Sequence, residues 1–570
     1  MNIIEKYKLW CEQVNDTELK KELESIASDE EAIKDRFFKD LEFGTGGLRG
    51  IIGAGTNRMN VYTVGKATQG LADYINSITK NGSAAIAYDS RINSRLFAET
   101  TASVLAANGI KVFIYSELMP TPMLSFAVRR LGCDAGIVIT ASHNPSIYNG
   151  YKVYGPDGCQ LTLEASAKVL ELINKVDTFR GIKRINFDDG LKDGTIQYIE
   201  QWVIDDYLEN VYKQSINPEI CKNSSLKVIY TPLHGSGNKP VRAILDKIGI
   251  KNVTVVKEQE QPDGNFPTAP YPNPEIKQPF ELALDLAKTQ DADLLLATDP
   301  DCDRVGIAVK SGEGYTFMTG NEVGALLLDY VLSQRSQKGT LPKNPIAVKT
   351  IVSTEICNSI AKKYGCEIID VLTGFKFIGE QISLLESRGE SNRFVFGFEE
   401  SYGYLAGNYV RDKDGVVTSM LICEMACFYK SQGKTLIDRM EELYKEHGNF
   451  LNRQKSYTCE GVSGMQRMEN IMKSLSENPP LEIGPFKVTE ISNYQTSEKK
   501  ILATLQVEKI TLPKSKVLAF RLEGDASVII RPSGTEPKIK VYISCKSENK
   551  EQAIKIADTL ENAISRIMGF

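Results

Sequence analysis

The chain repeats one rhythm three times, and that repetition restricts what it can fold into. Short β-branched runs alternate with amphipathic stretches: residues 84–88, a helical pattern over 95–108 stopped by Gly109, then 111–115 and 135–140. A second round comprises 226–230, a helix ending before Gly249, 253–256 and 293–298. A third comprises 346–351, 355–364, 367–372 and 394–398. Each round reads as a βαβ unit, and such units build α/β layers. The rounds share no residue-level repeat, so the repetition is architectural.

After about residue 445 the order shifts to helices and alternating strands, with strand patterns at 516–522, 527–531 and 538–544. The expected fold is three consecutive mixed-sheet α/β domains of similar architecture plus a smaller C-terminal α+β domain. The expected divisions are 1–206, 207–319, 320–445 and 446–570. Residues 1–40, with Leu19, Leu23, Ile26 and Ile33 at helical spacing, read as surface helices. Stretches 217–225, 338–345 and 476–480 read as linkers or surface loops. A length of 570 residues accommodates about three to five domains.

Composition excludes several classes. With 68 basic against 73 acidic residues, the net charge of -5 lacks the basic excess of a general nucleic-acid binder. It leaves room for an anionic substrate, because a local Arg and Lys cluster holds phosphate inside an acidic protein. The eleven cysteines contain no CxxC pair, and Cys423 and Cys427 sit one helical turn apart, a spacing of core packing. Free thiols fit a reducing cytoplasm. The opening MNIIEKYKLW carries charge too early for a signal peptide, and no apolar run approaches the roughly 20 residues that span a bilayer. A cytoplasmic protein is expected, with neither membrane nor nucleic-acid partners.

Chemistry concentrates in four loops. Directly after the apolar run Leu294 to Ala297 comes DPDCDR, placing Asp299, Asp301 and Asp303 at alternate positions. Three carboxylates at a strand end suit a hard divalent cation. An EF-hand does not fit, since the sixth position is Arg304 and the twelfth is Lys310. The same spacing also suits a solvated acidic turn cornered by Pro300. A second loop, TASHNP, presents Ser142 and His143 after the strand pattern 136–139; the hydroxyl is a nucleophile candidate at the end where α/β sheets bind ligands, though Asn-Pro also marks an ordinary turn. No GxSxG surrounds Ser142, which argues against a hydrolase triad.

The third loop, RPSGTEP, combines the donor fork of Arg531, the hydroxyls of Ser533 and Thr535, and the small Gly534. That set suits a phosphate dianion as well as it suits a hairpin turn. GTGGLRG, from Gly44 to Gly50, adds glycines and Arg49.

In this order, TASHNP, DPDCDR, the loop GFEES and RPSGTEP resemble the α-D-phosphohexomutase family, most closely its phosphoglucomutase branch, over about residues 44–542. The segments Asp263 to Glu275 (DGNFPTAPYPNPE) and Thr373 to Glu380 (TGFKFIGE) resemble the family too. The resemblance implies four domains around a central cleft, each giving one loop. It implies an intramolecular phosphotransferase of the isomerase class, interconverting glucose 1-phosphate and glucose 6-phosphate through a phosphoserine and glucose 1,6-bisphosphate, which is both intermediate and activator. One Mg2+ per chain is implied, held by Asp299, Asp301, Asp303 and a phosphate oxygen on Ser142. Glu399 and Ser401 would hold sugar hydroxyls, and Arg531, Ser533, Gly534 and Thr535 the distal phosphate. Arg49, His143, Lys152, Arg304, Lys376, Arg411 and Lys413 fall at cleft positions. A monomer is expected, with a dimer left open.

Two points stay open. A base for the sugar hydroxyl must titrate near working pH, so Lys152, ranked first, or Lys413 would need depression from about 10.4 by burial or neighbouring cations; His143 starts closer. Family loops commonly read Gly-Glu-x-Ser, whereas Phe398 here separates Gly397 from Glu399 and Glu400. Dual-specificity members often carry Met between Glu and Ser, and Glu400 is similar to the glucose-selective ones; mannose and pentose phosphates remain alternatives. Asp299 and Asp301 after a strand also resemble an aspartate-phosphorylating phosphatase, which leaves TASHNP and RPSGTEP unexplained. A non-enzymatic sugar-phosphate binder is the third reading.

Overall fold

A computed structural model of the chain describes residues 1–44, 46–459, 463–533 and 538–570. Spatial contacts divide it into two compact units. The first comprises 1–319, 378–397 and 401–435; the second comprises 320–377, 398–400 and 436–570.

In the first unit, β1 (Gly47–Ile51), β2 (Ser83–Tyr88), β3 (Lys111–Ile114), β4 (Ala135–Ile139), β5 (Tyr148–Tyr154) and β6 (Ile196–Tyr198) form a sheet of order β1-β5-β4-β2-β3-β6. Strands β4, β2, β3 and β6 run parallel, joined by helices such as Ser94–Ala107 and Thr121–Leu131. β5 runs antiparallel to both β4 and β1. The interior of β2 and β4 reads AAIAY and AGIVI and is buried on both faces, as a parallel strand covered by helices requires. Pro122 in the first turn and left-handed Gly132 at the end fix the bounds of helix Thr121–Leu131.

The second sheet of that unit has order β11-β10-β9-β7-β8, from β7 (Lys227–Thr231), β8 (Asn252–Val255), β9 (Leu294–Thr298), β10 (Val305–Ser311) and β11 (Gly314–Met318). β7, β8 and β9 are parallel, and the hairpin β10–β11 adds antiparallel edges. The expected strands at 84–88, 111–115, 135–140 and 293–298 are all present. β1, β5, β10 and β11 were not expected, because the parallel rhythm carries no signal for antiparallel additions at a sheet's edge.

The first forty residues are more than a surface layer. Helices Ile3–Gln13, Thr17–Ser25 and Glu30–Phe37 bury Trp10, Leu23, Ile26, Ile33 and Phe37 in a cluster with Ala54. Trp10 meets Phe37, Tyr62 and Phe179 edge-on. The stretch expected as a linker at 217–225 holds a short helix, Pro218–Lys222, with Cys221 buried. Its entry is tied down by Glu424, whose carboxylate accepts from Ile216 N, Asn217 N and Ser215 Oγ.

In the second unit, β12 (Ile346–Thr350) and β13 (Glu367–Val371) pair in parallel beside helices Gly320–Gln337 and Ile356–Lys363. The C-terminal part is an antiparallel sheet, running in order Asn449–Thr458, Lys538–Ser547, Ala526–Pro532, Leu518–Leu522, Phe486–Asn493, Glu498–Ile501 and Gln506–Lys509. Helices Gly464–Glu477 and Lys550–Met568 supply Met468, Leu475, Leu560 and Ile564 to its core. Mixed α/β sheets followed by an antiparallel C-terminal domain match the expected class. No helix among the described residues is long and apolar enough to cross a membrane.

Gly150 sits where β5 passes between β1 and β4. A Cβ there would stand 2.5 Å from Thr140 O and 2.9 Å from Leu48 O. Gly150→Val is expected to cost about 1–3 kcal/mol by overpacking and to lower Tm by several degrees in calorimetry; an unchanged Tm would show that the strands yield freely.

Candidate active site and metal centre

The two sharpest sequence loops leave strand ends in two separate sheets of the first unit and meet. TASHNP follows β4, and its Ser142 has φ 54°, a left-handed backbone uncommon outside glycine. DPDCDR follows β9, and Cys302 turns it with φ 52°. Ser142 Oγ donates to Asp299 Oδ2 at 2.8 Å and lies 3.2 Å from His143 Nδ1.

Asp299, Asp301 and Asp303 are buried, and each offers a carboxylate oxygen within 4.8 Å of the others. Their other contacts are sorted by oxygen. Asp299 Oδ1 accepts from Asp303 N and Arg304 N at 3.0 and 2.9 Å, which curls the loop. Asp301 Oδ2 accepts from Thr121 Oγ1 and Lys152 Nζ, both at 2.9 Å. Asp303 Oδ2 faces Lys413 Nζ at 3.2 Å and Lys152 Nζ at 3.6 Å. Asp301 Oδ1 and Asp303 Oδ1 are buried with no hydrogen-bond partner among the described residues. Orphaned buried carboxylate oxygens are costly, and a hard divalent cation is the partner such a donor set fits.

Electrostatics follow from the crowding. Burial pushes the Asp299 carboxyl well above the usual range, and Asp301 and Asp303 push it further. Burial acts on Asp301 in the same sense, but the Lys152 ammonium, together with hydrogen bonds to Asp299 and Thr121, outweighs it and holds that carboxyl low. Lys152 itself departs from the expectation that burial depresses it: burial pulls it down, Asp301 and Asp303 pull it up more strongly, and the net shift is upward. Here the ammonium serves as counter-charge to the aspartates. Burial and the charges of Arg304 and Arg49 hold His143 well below its ordinary value, so the imidazole is neutral at pH 7.

Positions of the remaining cations follow from local packing. Lys152 lies on β5, opposite Gly47 of β1. Arg49, on β1, is exposed at the same edge. The Lys413 stem lies flat on Gly403, where a Cβ would stand 2.0 Å from its Cδ, and Asp412 Oδ1 holds its ammonium at 3.1 Å. Asp412 Oδ2 in turn accepts from Tyr154 OH at 2.6 Å. Arg304 pairs with Glu275 and reaches Asp303 at 4.0 Å. Arg411 does not join this group: fully buried, it donates to Glu386 at 2.7 Å and to the carbonyls of Asn408 and Val410. Ser401 is half-buried at the start of the turn whose Tyr402 carbonyl accepts from Val305 N.

In the second unit, Glu399 Oε1 accepts from Gly374 N at 2.8 Å, and Glu400 Oε2 from Thr350 Oγ1 at 2.9 Å. The two carboxylates are thus held by different partners. Phe398, the residue that departs from the usual loop, lies against Gly324 of helix Gly320–Gln337, where a Cβ would stand 2.4 Å from its ring. Tyr542 lies close enough to Arg531, Glu400 and Glu399 to sense all three charges, so these two acids and Arg531 are neighbours. Lys376 stacks on Phe377 at 5.1 Å. Ser533 donates its N–H to Lys538 O at 2.7 Å. Gly534 and Thr535 lie outside the described residues.

The sequence reading missed several residues that build this site. Thr121, at the first turn of its helix, gives both hydroxyl and N–H to Asp301. Asp89 and Arg91 sit just past β2 and brace the Ser142 loop. The available signal was position: YDSR leaves β2 as TASHNP leaves β4.

Comparisons with known proteins converge. Four family profiles match in sequence: phosphoglucomutase/phosphomannomutase alpha/beta/alpha domain I over 40–180, domain II over 205–312, domain III over 319–447, and the C-terminal domain over 486–560. A phosphoglucomutase of Staphylococcus aureus (strain MSSA476) is 40% identical over 545 residues, covering 95% of this chain and 96% of that one. Among solved structures, the open form of a Paramecium phosphoprotein, pp63/parafusin, superposes with TM-score 0.69 at 17% identity, covering 93% and 97% of the two chains. A phosphoglucomutase/phosphomannomutase family protein of Burkholderia thailandensis gives TM-score 0.66 at 17% identity, covering 92% and 97%. With a centre of this construction and matches in domain order along most of its length, the chain belongs to the phosphoglucomutase/phosphomannomutase family.

Proposed function

We propose that the protein is a phosphoglucomutase, interconverting glucose 1-phosphate and glucose 6-phosphate through a phosphoserine at Ser142 and a glucose 1,6-bisphosphate intermediate. The observation that carries the reading is Ser142 Oγ placed 2.8 Å from Asp299 Oδ2, on the rim of three buried aspartates backed by Lys152 and Lys413. The relative named phosphoglucomutase, 40% identical across nearly the whole chain, supports the choice within the family.

Phosphoryl transfer is mostly positioning and charge compensation. Asp299, Asp301 and Asp303 would hold one Mg2+, with an oxygen of phosphorylated Ser142 completing the set. Bound there, the ion supplies Lewis-acid stabilisation of charge on the transferring group. Lys152, Lys413 and Arg304 offset the same charge from the protein side, and neutral His143 orients the phosphate beside Ser142. Because one serine serves both ends of the sugar, the bisphosphate must turn over, and a second phosphate site is required. Arg531, Ser533, Gly534 and Thr535 fill that role in this reading. Glu399 and Ser401 grip sugar hydroxyls, and Arg49, Lys376 and Arg411 add positive charge along the substrate path. Eleven unbridged cysteines accord with a cytoplasmic enzyme.

Three outcomes test the proposal. Enzyme incubated with labelled glucose 1,6-bisphosphate should take up label on Ser142, and bisphosphate should activate dephosphorylated enzyme. Ser142→Ala should do neither, with turnover lost and the fold kept, since the change removes one loop hydroxyl. Near-normal turnover by folded Ser142→Ala would sink the mechanism.

The metal assignment is checked by Asp301→Asn, which removes a charged oxygen ligand. Affinity for Mg2+ or Mn2+, read by calorimetry or electron paramagnetic resonance, should fall at least about tenfold along with activity; parental titration would exclude the three aspartates.

For selectivity, glucose 1-phosphate should exceed mannose 1-phosphate in kcat/KM by roughly tenfold to a hundredfold, the value of one hydroxyl contact to a charged group at about 1.5–3 kcal/mol. Equal efficiency with mannose 1-phosphate, or an advantage for ribose 1-phosphate, would reassign the sugar and leave Ser142 in place.

A further inference from the structure

Ser142 keeps a left-handed backbone, φ 54°, without being glycine. A residue in a sparsely populated conformation persists only where its surroundings over-determine it. Here the constraint comes from a buried arginine. The Arg91 side chain is 0% exposed. One terminal nitrogen of its guanidinium donates to Ser142 O at 2.6 Å and to Asn144 O. The other donates to Pro145 O at 2.9 Å and to Tyr148 O at 3.0 Å. Four carbonyls of residues 142–148 are gathered by one planar fork, an arrangement an ammonium cannot reproduce.

The fork is itself fixed by two groups, Asp89 and Phe266. Asp89 Oδ2 lies 3.4 Å from Arg91 Nε, and its carboxylate is also 0% exposed. That same oxygen accepts from Thr140 Oγ1 at 2.6 Å, while Thr140 Oγ1 accepts from Ser142 N at 2.8 Å. Asp89 thus constrains the serine from its N–H side while Arg91 constrains it from its carbonyl side. The Phe266 ring covers the guanidinium at 5.0 Å. Phe266 belongs to the segment Asp263 to Glu275, whose far end, Glu275, pairs with Arg304 of the aspartate loop. Gly264 allows that segment to lie against Ile92 N, which a Cβ would approach to 2.4 Å. One stretch of chain therefore braces both catalytic loops.

We infer that Arg91 is a positioning residue for the reaction: with Asp89 and Phe266 it holds the Ser142 loop so that the serine oxygen stays in register with the aspartate centre. It touches no reacting atom, and the inference rests on Ser142 being the phosphorylated residue. A catalytic group displaced by about 1 Å loses rate by about a hundredfold, and a loss confined to the chemical step appears in kcat with KM preserved.

The test compares Arg91→Lys and Arg91→Met with Arg58→Met, which removes another buried arginine, one bonded to Asp35 and Asn57 rather than to the Ser142 loop. Parent enzyme is first labelled with glucose 1,6-bisphosphate and the phosphate located by mass spectrometry. Per folded molecule, Arg91→Met should lose about a hundredfold in kcat and Arg91→Lys about tenfold, with KM within about threefold. Amide exchange in residues 140–148 should accelerate in both. Arg58→Met should lose stability and keep kcat. Parental kcat in folded Arg91→Met, a KM rising in step with the loss, or failure of both Arg91 variants to fold would overturn the inference, since each assigns Arg91 another role. Phosphate absent from Ser142 in the parent would instead overturn the phosphoserine reading on which it rests.

Discussion

Three carboxylates drawn within 4.8 Å of one another in a buried loop repel, and the loop cannot stand without opposing charge. Much of the first unit is arranged to supply it. Lys152 arrives from β5, Lys413 from the chain after 401, and the N-terminal turn of helix Thr121–Leu131 brings its donors to Asp301. The lysines are counter-balanced in turn, because Asp412 and Tyr154 continue the alternation of charge and hydrogen bond outward from Lys413. Replacing Lys152 leaves Asp301 without its ammonium in a buried loop, a costlier change than loss of an exposed ion pair.

The site was legible where it depended on local spacing, and obscure where it depended on topology. DPDCDR and TASHNP are each one strand end followed by a turn, so their residue types and positions could be read directly. Their convergence could not, because β4 and β9 belong to separate sheets and their loops meet only through the packing of those sheets within the first unit. Arg91 was invisible for a related reason: its importance lies in reaching carbonyls some fifty residues onward, and carbonyls leave no mark on sequence. Parallel strands such as β2, β4 and β9 declared themselves by unbroken apolar runs. The antiparallel β1 and β5 did not, since glycine, Arg49, Asn149 and Lys152 interrupt the apolar residues of GLRGI and YNGYKVY, a composition set by close backbone approach and by the side chains they carry. The partner of Arg411 was equally hidden, for its guanidinium packs against Glu386, a residue on a preceding helix.

Phe398 illustrates how an apparent interruption of a motif can be structural. Its ring fills space against Gly324, and as a strand residue it faces opposite to its neighbour Glu399. The loop therefore accommodates an aromatic residue without displacing the acidic pair from Gly374 and Thr350, each of which takes one carboxylate.

Hydroxyl chemistry alone would admit threonine as readily as serine at the proposed transferring position, 142. The backbone does not. At φ 54° a branched Cβ crowds the adjoining peptide group, and β-branched residues are genuine outliers there. The identity of the proposed nucleophile is therefore decided by the torsion that Arg91, Asp89 and Thr140 impose on the chain, and reactivity has little say in it. An alteration that relaxed this torsion would do more than slow transfer: it would open the position to residues the present fold forbids.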